Sequence, residues 1–187
     1  MIPLSLAAIA EITGARLDLV ADAEELVTGP VVIDSRNAAP GGLFAALPGE
    51  RADGHDFAGR AVSAGAVAAL ASRPVGVPAL ITPGVTAALG RLARAVVDRL
   101  PGLSIAAITG SVGKTTTKDL AAQLIESLGP AVAPYGSYNN EIGHPLTVLR
   151  VCEHTRYLVL EVMGSSSFSI LSFCLFILFM GFSRQEY

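Results

Sequence analysis

Apolar and polar positions alternate along this chain in two different periods, and the periods come in turns. "LSLAAIAEITG" (Leu4–Gly14) has helical spacing, with Ser5 placed to cap its start and Gly14 just past its end. "VVIDS" and "LFAAL" are short apolar runs bounded by turn residues and predict strands. "HDFAGRAVSAGA" predicts a helix, and the apolar runs "AVAAL" and "PALIT" predict two more strands. "VTAALGRLARAVVDRL" repeats apolar residues at three- and four-residue intervals with arginines on another face, and Pro101 and Gly102 stop it. "LSIAAIT" predicts a buried strand, "KDLAAQLIESLG" a helix ending at Gly129, and "YLVLEV" a further strand.

Strand and helix in alternation predict an α/β fold with a mostly parallel sheet. Pro83 and Gly84 separate two such sets, which places a boundary near Thr82–Val85. The expected organisation is one unit over 1–83, a second over 84–163 and a tail over 164–187.

The tail has a different texture. From Gly164 the chain reads "GSSSFSILSFCLFILFMGFSRQEY", with five of the seven phenylalanines between Phe168 and Phe182 and no alanine after Ala133. The uncharged stretch Phe168–Phe182 is shorter than the ~20 residues that a helix needs to span a bilayer core. It is read as aberrant sequence rather than as a membrane anchor.

Composition narrows the classes. The 187 residues are 51% hydrophobic and 16% charged, enough to build a core. The net charge is −3 without basic clusters, which argues against a nucleic-acid surface. Cys152 and Cys174 form neither a disulfide framework nor a metal-ligand spacing. The N-terminus lacks an early positive charge and its apolar run is broken by Glu11, Arg16 and Asp18, so the cytoplasm is the expected location.

Among 13 basic residues only Lys114 and Lys118 are lysines, and both stand in "AAITGSVGKTTTKDLAA". A strand, a glycine loop with Lys-Thr and a helix in that order form a phosphate cradle: loop N–H groups point inward and the helix N-terminus adds partial positive charge. Gly110 and Gly113 permit the turn, Lys114 would reach the β/γ-phosphates, and Thr115 would offer its hydroxyl to Mg²⁺. The loop T-G-S-V-G-K-T-T-T departs from the general P-loop pattern, whose first glycine would fall at Ile108. Lys118, one turn along, is expected to be solvated.

"TGSVGKTTTKDL" resembles the ATP loop of the Mur ligase family, which builds the peptide of bacterial peptidoglycan. "GSYNNEIGHPLTVL" (Gly136–Leu149) is similar to the branch that joins D-alanyl-D-alanine to UDP-N-acetylmuramoyl tripeptide, and "DSRNAAPGGLFAALPGERADGHDF" (Asp34–Phe57) to that family's UDP-sugar-binding N-terminal domain. The resemblance covers about residues 1–161. It implies a small N-terminal α/β UDP-sugar-binding domain followed by the start of a P-loop (mononucleotide-binding) parallel-sheet domain. It implies that Ser35, Arg36 and the loop Gly49, Glu50, Arg51, Ala52 and Asp53 contact the UDP part of the substrate. Gly110, Ser111, Val112, Gly113, Lys114, Thr115 and Thr116 would hold ATP, Asn139 and Asn140 would lie near substrate, and Thr115 and Glu161 would hold Mg²⁺. Lys114 and Glu161 would be the catalytic residues; His55, His144 and His154 receive no role. The implied chemistry activates a substrate carboxylate as an acyl phosphate, which an amine then displaces. The resemblance also implies a carbamylated lysine, a histidine and a third domain beyond the point of Glu161; no lysine follows Lys118 here. Two readings result: a truncated ligase with no expected turnover, or a non-catalytic nucleotide- or UDP-sugar-binding or membrane-tethered protein.

Overall fold

A computed structural model describes residues 1–49, 52–109, 112–136 and 138–162. The aberrant tail expected over 164–187 lies outside the described residues, as do Glu50, Arg51, Gly110 and Ser111. By contact the chain divides into two compact units, Met1–Val96 and Val97–Tyr187. The expected boundary near Thr82–Val85 falls before the arginine-bearing helix, most of which contacts group with the first unit.

In the first unit, β1 (Leu4–Ser5) runs into α1 (Leu6–Thr13). The Ser5 hydroxyl accepts the Ala8 N–H at 3.2 Å, and Gly14 closes the helix at φ 62°, a left-handed conformation that glycine adopts without strain. Then follow β2 (Arg16–Asp18), β3 (Leu26–Val27), β4 (Val31–Val32), β5 (Leu43–Ala45), α2 (Ala58–Ser63), β6 (Ala68–Ala71), β7 (Ala79–Ile81) and α3 (Val85–Asp98). The sheet order is β2-β7-β6-β5-β4, parallel except for β2, which pairs antiparallel with β7. β1 and β3 form a separate antiparallel pair. One core cluster sets Phe44 among buried alanines of β6, β7 and α2, so a single large side chain fills space that small residues leave. α3 buries Val85, Ala88, Leu89, Leu92, Ala93 and Val96 at helical spacing, and Arg91 donates to the Thr13 carbonyl at 2.5 Å. Because β4, β5 and β6 run parallel, the segments after them (Asp34–Arg36, Ala46–Asp53 and Ser72–Arg73) leave the sheet at one edge, its carboxyl edge.

The second unit contains β8 (Ser104–Ile108), α4 (Lys114–Glu126), β9 (Ala131–Val132), α5 (Gly143–Val148) and β10 (Tyr157–Glu161). Its described sheet is parallel throughout, in the order β8-β10-β9. The central strand buries Leu158, Val159 and Leu160. β8, expected to be buried, is half-buried instead, because it is an edge among the described strands. α4 begins at Lys114, four residues before the expected start. Gly113 takes φ 79° as its N-cap, and the three threonines continue into the helix although their propensity is modest; tertiary context overrides it. No described helix is long and apolar enough to cross a membrane.

Candidate nucleotide and cation site

In the second unit, the register of the parallel pair places Glu161, the last residue of β10, beside Ile108, the last of β8. Six residues after Ile108, past Gly113, α4 begins. The Glu161 carboxyl is thereby delivered to the start of α4 with only 2% of the residue exposed. The Thr115 hydroxyl donates to Glu161 Oε2 at 3.0 Å, and the Asn139 amide donates to Oε1 at 3.0 Å. His144, 3% exposed on α5, donates from Nε2 to the Glu161 carbonyl at 2.5 Å, since a carbonyl can only accept; this fixes the ring's tautomer. Three separated segments meet on one acid. Among the described residues no buried side-chain N or O lacks a partner.

Among the described residues no side chain caps the N-terminus of α4 and no acid lies in its first turn; a helix start carries partial positive charge. Lys114 and Thr115 occupy that first turn and are half-buried, while Thr116 is exposed and Val112 is 91% exposed. Thr115 Oγ1 and Glu161 Oε2 are also hard oxygen donors. Adjacent ligands of an octahedral ion bound at 2.0–2.1 Å stand about 2.9 Å apart, close to the separation seen between them. Among the described residues no group of three His, Cys, Asp or Glu could hold a metal alone. The donor set therefore suits a small divalent cation that shares its shell with phosphate and water.

The two asparagines part company. Asn139 joins the site, whereas the Asn140 side chain accepts the N–H groups of Ile142 and Gly143 at 3.2 and 2.7 Å and so shapes the turn into α5. Lys118 is corrected: it is 0% exposed rather than solvated, with Nζ donating to the carbonyls of Pro134 and Gly136.

In the first unit, Asp34 accepts the Arg36 N–H at 2.9 Å and its guanidinium at 2.5–3.0 Å. The Arg36 side chain and then its N–H hold the Asp34 carboxyl down to about 2. Ser35 is buried, so Arg36 is the open member of that pair. An isolated bridge pairs Pro48 with Asp53, Gly49 N–H donates to the Ala52 carbonyl at 3.1 Å and Gly54 N–H to the Leu47 carbonyl at 2.9 Å. Asp53 accepts the His55 N–H at 3.0 Å, its ring Nδ1–H at 2.5 Å and Arg73 at 3.0 Å. The backbone N–H of His55 is the largest cause that lowers the Asp53 carboxyl, followed by the His55 ring and Arg73. His55 Nε2 in turn accepts the Ser72 N–H at 3.0 Å.

Sequence reading expected Lys118 to be solvated and gave His144 and His55 no role. The signal for Lys118 was its chemistry: one of two lysines in an arginine chain. The histidines stood inside the quoted segments but offered no spacing that marks a ligand set.

Two family descriptions match the chain: "Mur ligase family, catalytic domain" over residues 30–114 and "Mur ligase middle domain" over residues 108–172. The UDP-N-acetylmuramoyl-tripeptide--D-alanyl-D-alanine ligase of Mycobacterium tuberculosis (strain H37Rv) is 50% identical over 188 residues, a match that covers 87% of this chain and 37% of that protein. The enzyme of the same name from Escherichia coli K12 is 40% identical over 140 residues, covering 74% and 31%. A crystal structure of MurF from Acinetobacter baumannii superposes with a TM-score of 0.77 at 29% identity, covering 87% of this chain and 36% of that one. MurF ligase from Thermotoga maritima, in complex with ADP, gives 0.68 at 32% identity, covering 80% and 35%. The chain thus spans about a third of the length of the curated relatives it matches.

Proposed function

The chain belongs to the Mur ligase family, and on that premise we propose that it carries the UDP-sugar end and the ATP end of a ligase of the MurF type. That ligase adds D-alanyl-D-alanine to UDP-N-acetylmuramoyl tripeptide in peptidoglycan synthesis, in the cytoplasm. The observation that supports this most strongly is the convergence of Thr115 and Asn139 on Glu161 beside the start of α4.

In this reading Lys114 and the α4 N-terminus neutralise the ATP phosphates, with Gly110–Gly113 wrapping them and Thr116 at their edge. Thr115 and Glu161 hold Mg²⁺, which supplies charge neutralisation at the transferring phosphoryl group. Asn139 holds Oε1 of Glu161, and Oε2, which accepts the Thr115 hydroxyl, would be the oxygen offered to a cation. The tripeptide carboxylate attacks the γ-phosphorus and ADP leaves; the dipeptide amine then attacks the acyl carbon, loses a proton and expels phosphate. Positioning and charge carry such a reaction more than covalent chemistry by the protein does. In the first unit Arg36, Ser35 and the loop Gly49–Asp53 receive the UDP part at the carboxyl edge of the sheet, where parallel sheets bind ligands.

A second reading is binding of nucleotide and UDP-sugar without ligation. Calorimetry tests the ATP end. Mg·ATP should bind the full chain, and Lys114→Ala should weaken it at least about tenfold, the factor for ~1.4 kcal/mol; equal affinities would remove Lys114 from its role. Mass spectrometry of the nucleotide-peptide product, with both substrates present, should find no turnover near that of an intact ligase; robust turnover that Lys114→Ala abolishes would overturn that expectation.

A further inference from the structure

Lys118 is buried at no benefit to an apolar core. Its Nζ donates to Pro134 O at 2.9 Å, Gly136 O at 3.0 Å and Asp119 Oδ1 at 2.7 Å. An ammonium has three N–H groups, so each has an acceptor. Burial of a cation is costly without such a set, and methionine would fill a helix position of this length at no such cost. The three bonds have a consequence elsewhere. Pro134 and Gly136 open the segment that carries Asn139 to Glu161, and Gly136 turns it at φ 55°. Thr115 lies three residues before Lys118 on the same side of α4, and bonds the other Glu161 oxygen. The contacts close a ring: Lys118 to Pro134 and Gly136, along the chain to Asn139, to Glu161, to Thr115 and back along α4.

We propose that Lys118 is a positioning residue for the nucleotide and cation site. Its ammonium clamps the Pro134–Gly136 carbonyls so that Asn139 holds one oxygen of Glu161 and the other faces Thr115. This assigns a task to the second lysine: Lys114 for the phosphates, Lys118 for the loop that sets the acid. Arginine cannot substitute, because a planar fork does not direct three donors from one point toward acceptors on two sides. The consequence for nucleotide rests on the reading of the site given above; the clamp itself does not.

The test is a double-mutant cycle on the full chain, read by Mg·ATP calorimetry and by the NMR signal of the Asn139 side-chain amide. Lys118→Met should weaken Mg·ATP about fivefold or more and shift the Asn139 amide toward the position of an exposed asparagine, and Lys118→Arg should not rescue either. Asn139→Ala should then cost less in the Lys118→Met background than in the parent, as coupled residues do. Equal cost in both backgrounds, or an unshifted Asn139 amide, overturns the proposal. A parent chain that binds no Mg·ATP overturns the site reading instead, and the Asn139 amide alone then decides the clamp. If Lys118→Met does not fold, the parent suffices. Its Lys118 ammonium protons should exchange slowly and show coupling across hydrogen bonds to the Pro134 and Gly136 carbonyl carbons; fast exchange overturns the clamp.

Discussion

Thr115 and Glu161 stand 46 residues apart in the chain, and their side-chain oxygens stand 3.0 Å apart. One lies in the first turn of a helix and the other ends a strand, and parallel pairing of β8 with β10 brings the two ends together. The contact depends on register: a shift of one residue would turn Glu161 to the other face of the sheet.

Glu161→Gln separates charge from shape. The amide keeps the volume but loses the charge that would face a cation, and its NH₂ can donate to Thr115 Oγ1, which also accepts, while its oxygen keeps the Asn139 bond. Mg·ATP affinity should fall about tenfold or more, while affinity for ATP without Mg²⁺ should change little. Calorimetry with and without the metal checks this, and an equal loss in both conditions would mean that Glu161 does not act through the cation.

Two glycine substitutions should move stability in opposite directions. A Cβ at Gly143 would lie 2.8 Å from the Tyr138 carbonyl carbon and 2.9 Å from its Cα, so Gly143→Ala must push the backbone beside Asn139. A cost of about 1–3 kcal/mol is expected, together with weaker Mg·ATP binding. At Gly90, inside α3, a Cβ meets nothing within 4 Å. Gly90→Ala should stabilise by about 0.5–1 kcal/mol through helix propensity. Thermal unfolding of both variants provides the comparison.

Sequence reading reached the order of the longer elements and the Ser5 and Gly14 caps, because these follow from local periodicity, but not the short β2, β3, β9 and α5; Glu161 entered through the family resemblance. Sequence reading did not reach Lys118. Whether a lysine on a helix is solvated or clamped depends on which carbonyls pack over it, and Pro134 and Gly136 come 16 and 18 residues later. His55 escaped for the same reason, since its partner Ser72 is 17 residues away. Asn139 and Asn140 look equivalent in sequence. Only the turn into α5 decides that one side chain closes the turn and the other reaches Glu161.

UDP should report the first unit. In an NMR titration with UDP, shifts should gather on Arg36, Gly49, Ala52 and Asp53, with smaller changes at Ser35, which is buried. Shifts confined to α3 or to the β1–β3 pair would remove the carboxyl edge from this role.

Acid should loosen that same edge. Asp34 is held down to about 2 by Arg36, and Asp53 is held well below the usual carboxylate range by His55 and Arg73. A carboxyl lowered in the folded state stabilises fully above its unfolded value near 4, and the contribution is lost as pH falls toward the folded value. Stability should therefore drop between about pH 4 and 2. Asp34→Asn should flatten that slope in circular-dichroism titrations; an unchanged slope would deny Asp34 a share.

We propose that Thr115 Oγ1 and Glu161 Oε2 would both serve a divalent cation brought in with the nucleotide. Mn²⁺ supplied with ATP in place of Mg²⁺ broadens NMR signals near the ion. Residues 113–116, the Asn139 side-chain amide and Glu161 should broaden first, and Glu161→Gln should weaken the effect. Broadening centred elsewhere, with the Thr115 and Asn139 signals sharp, would contradict the account.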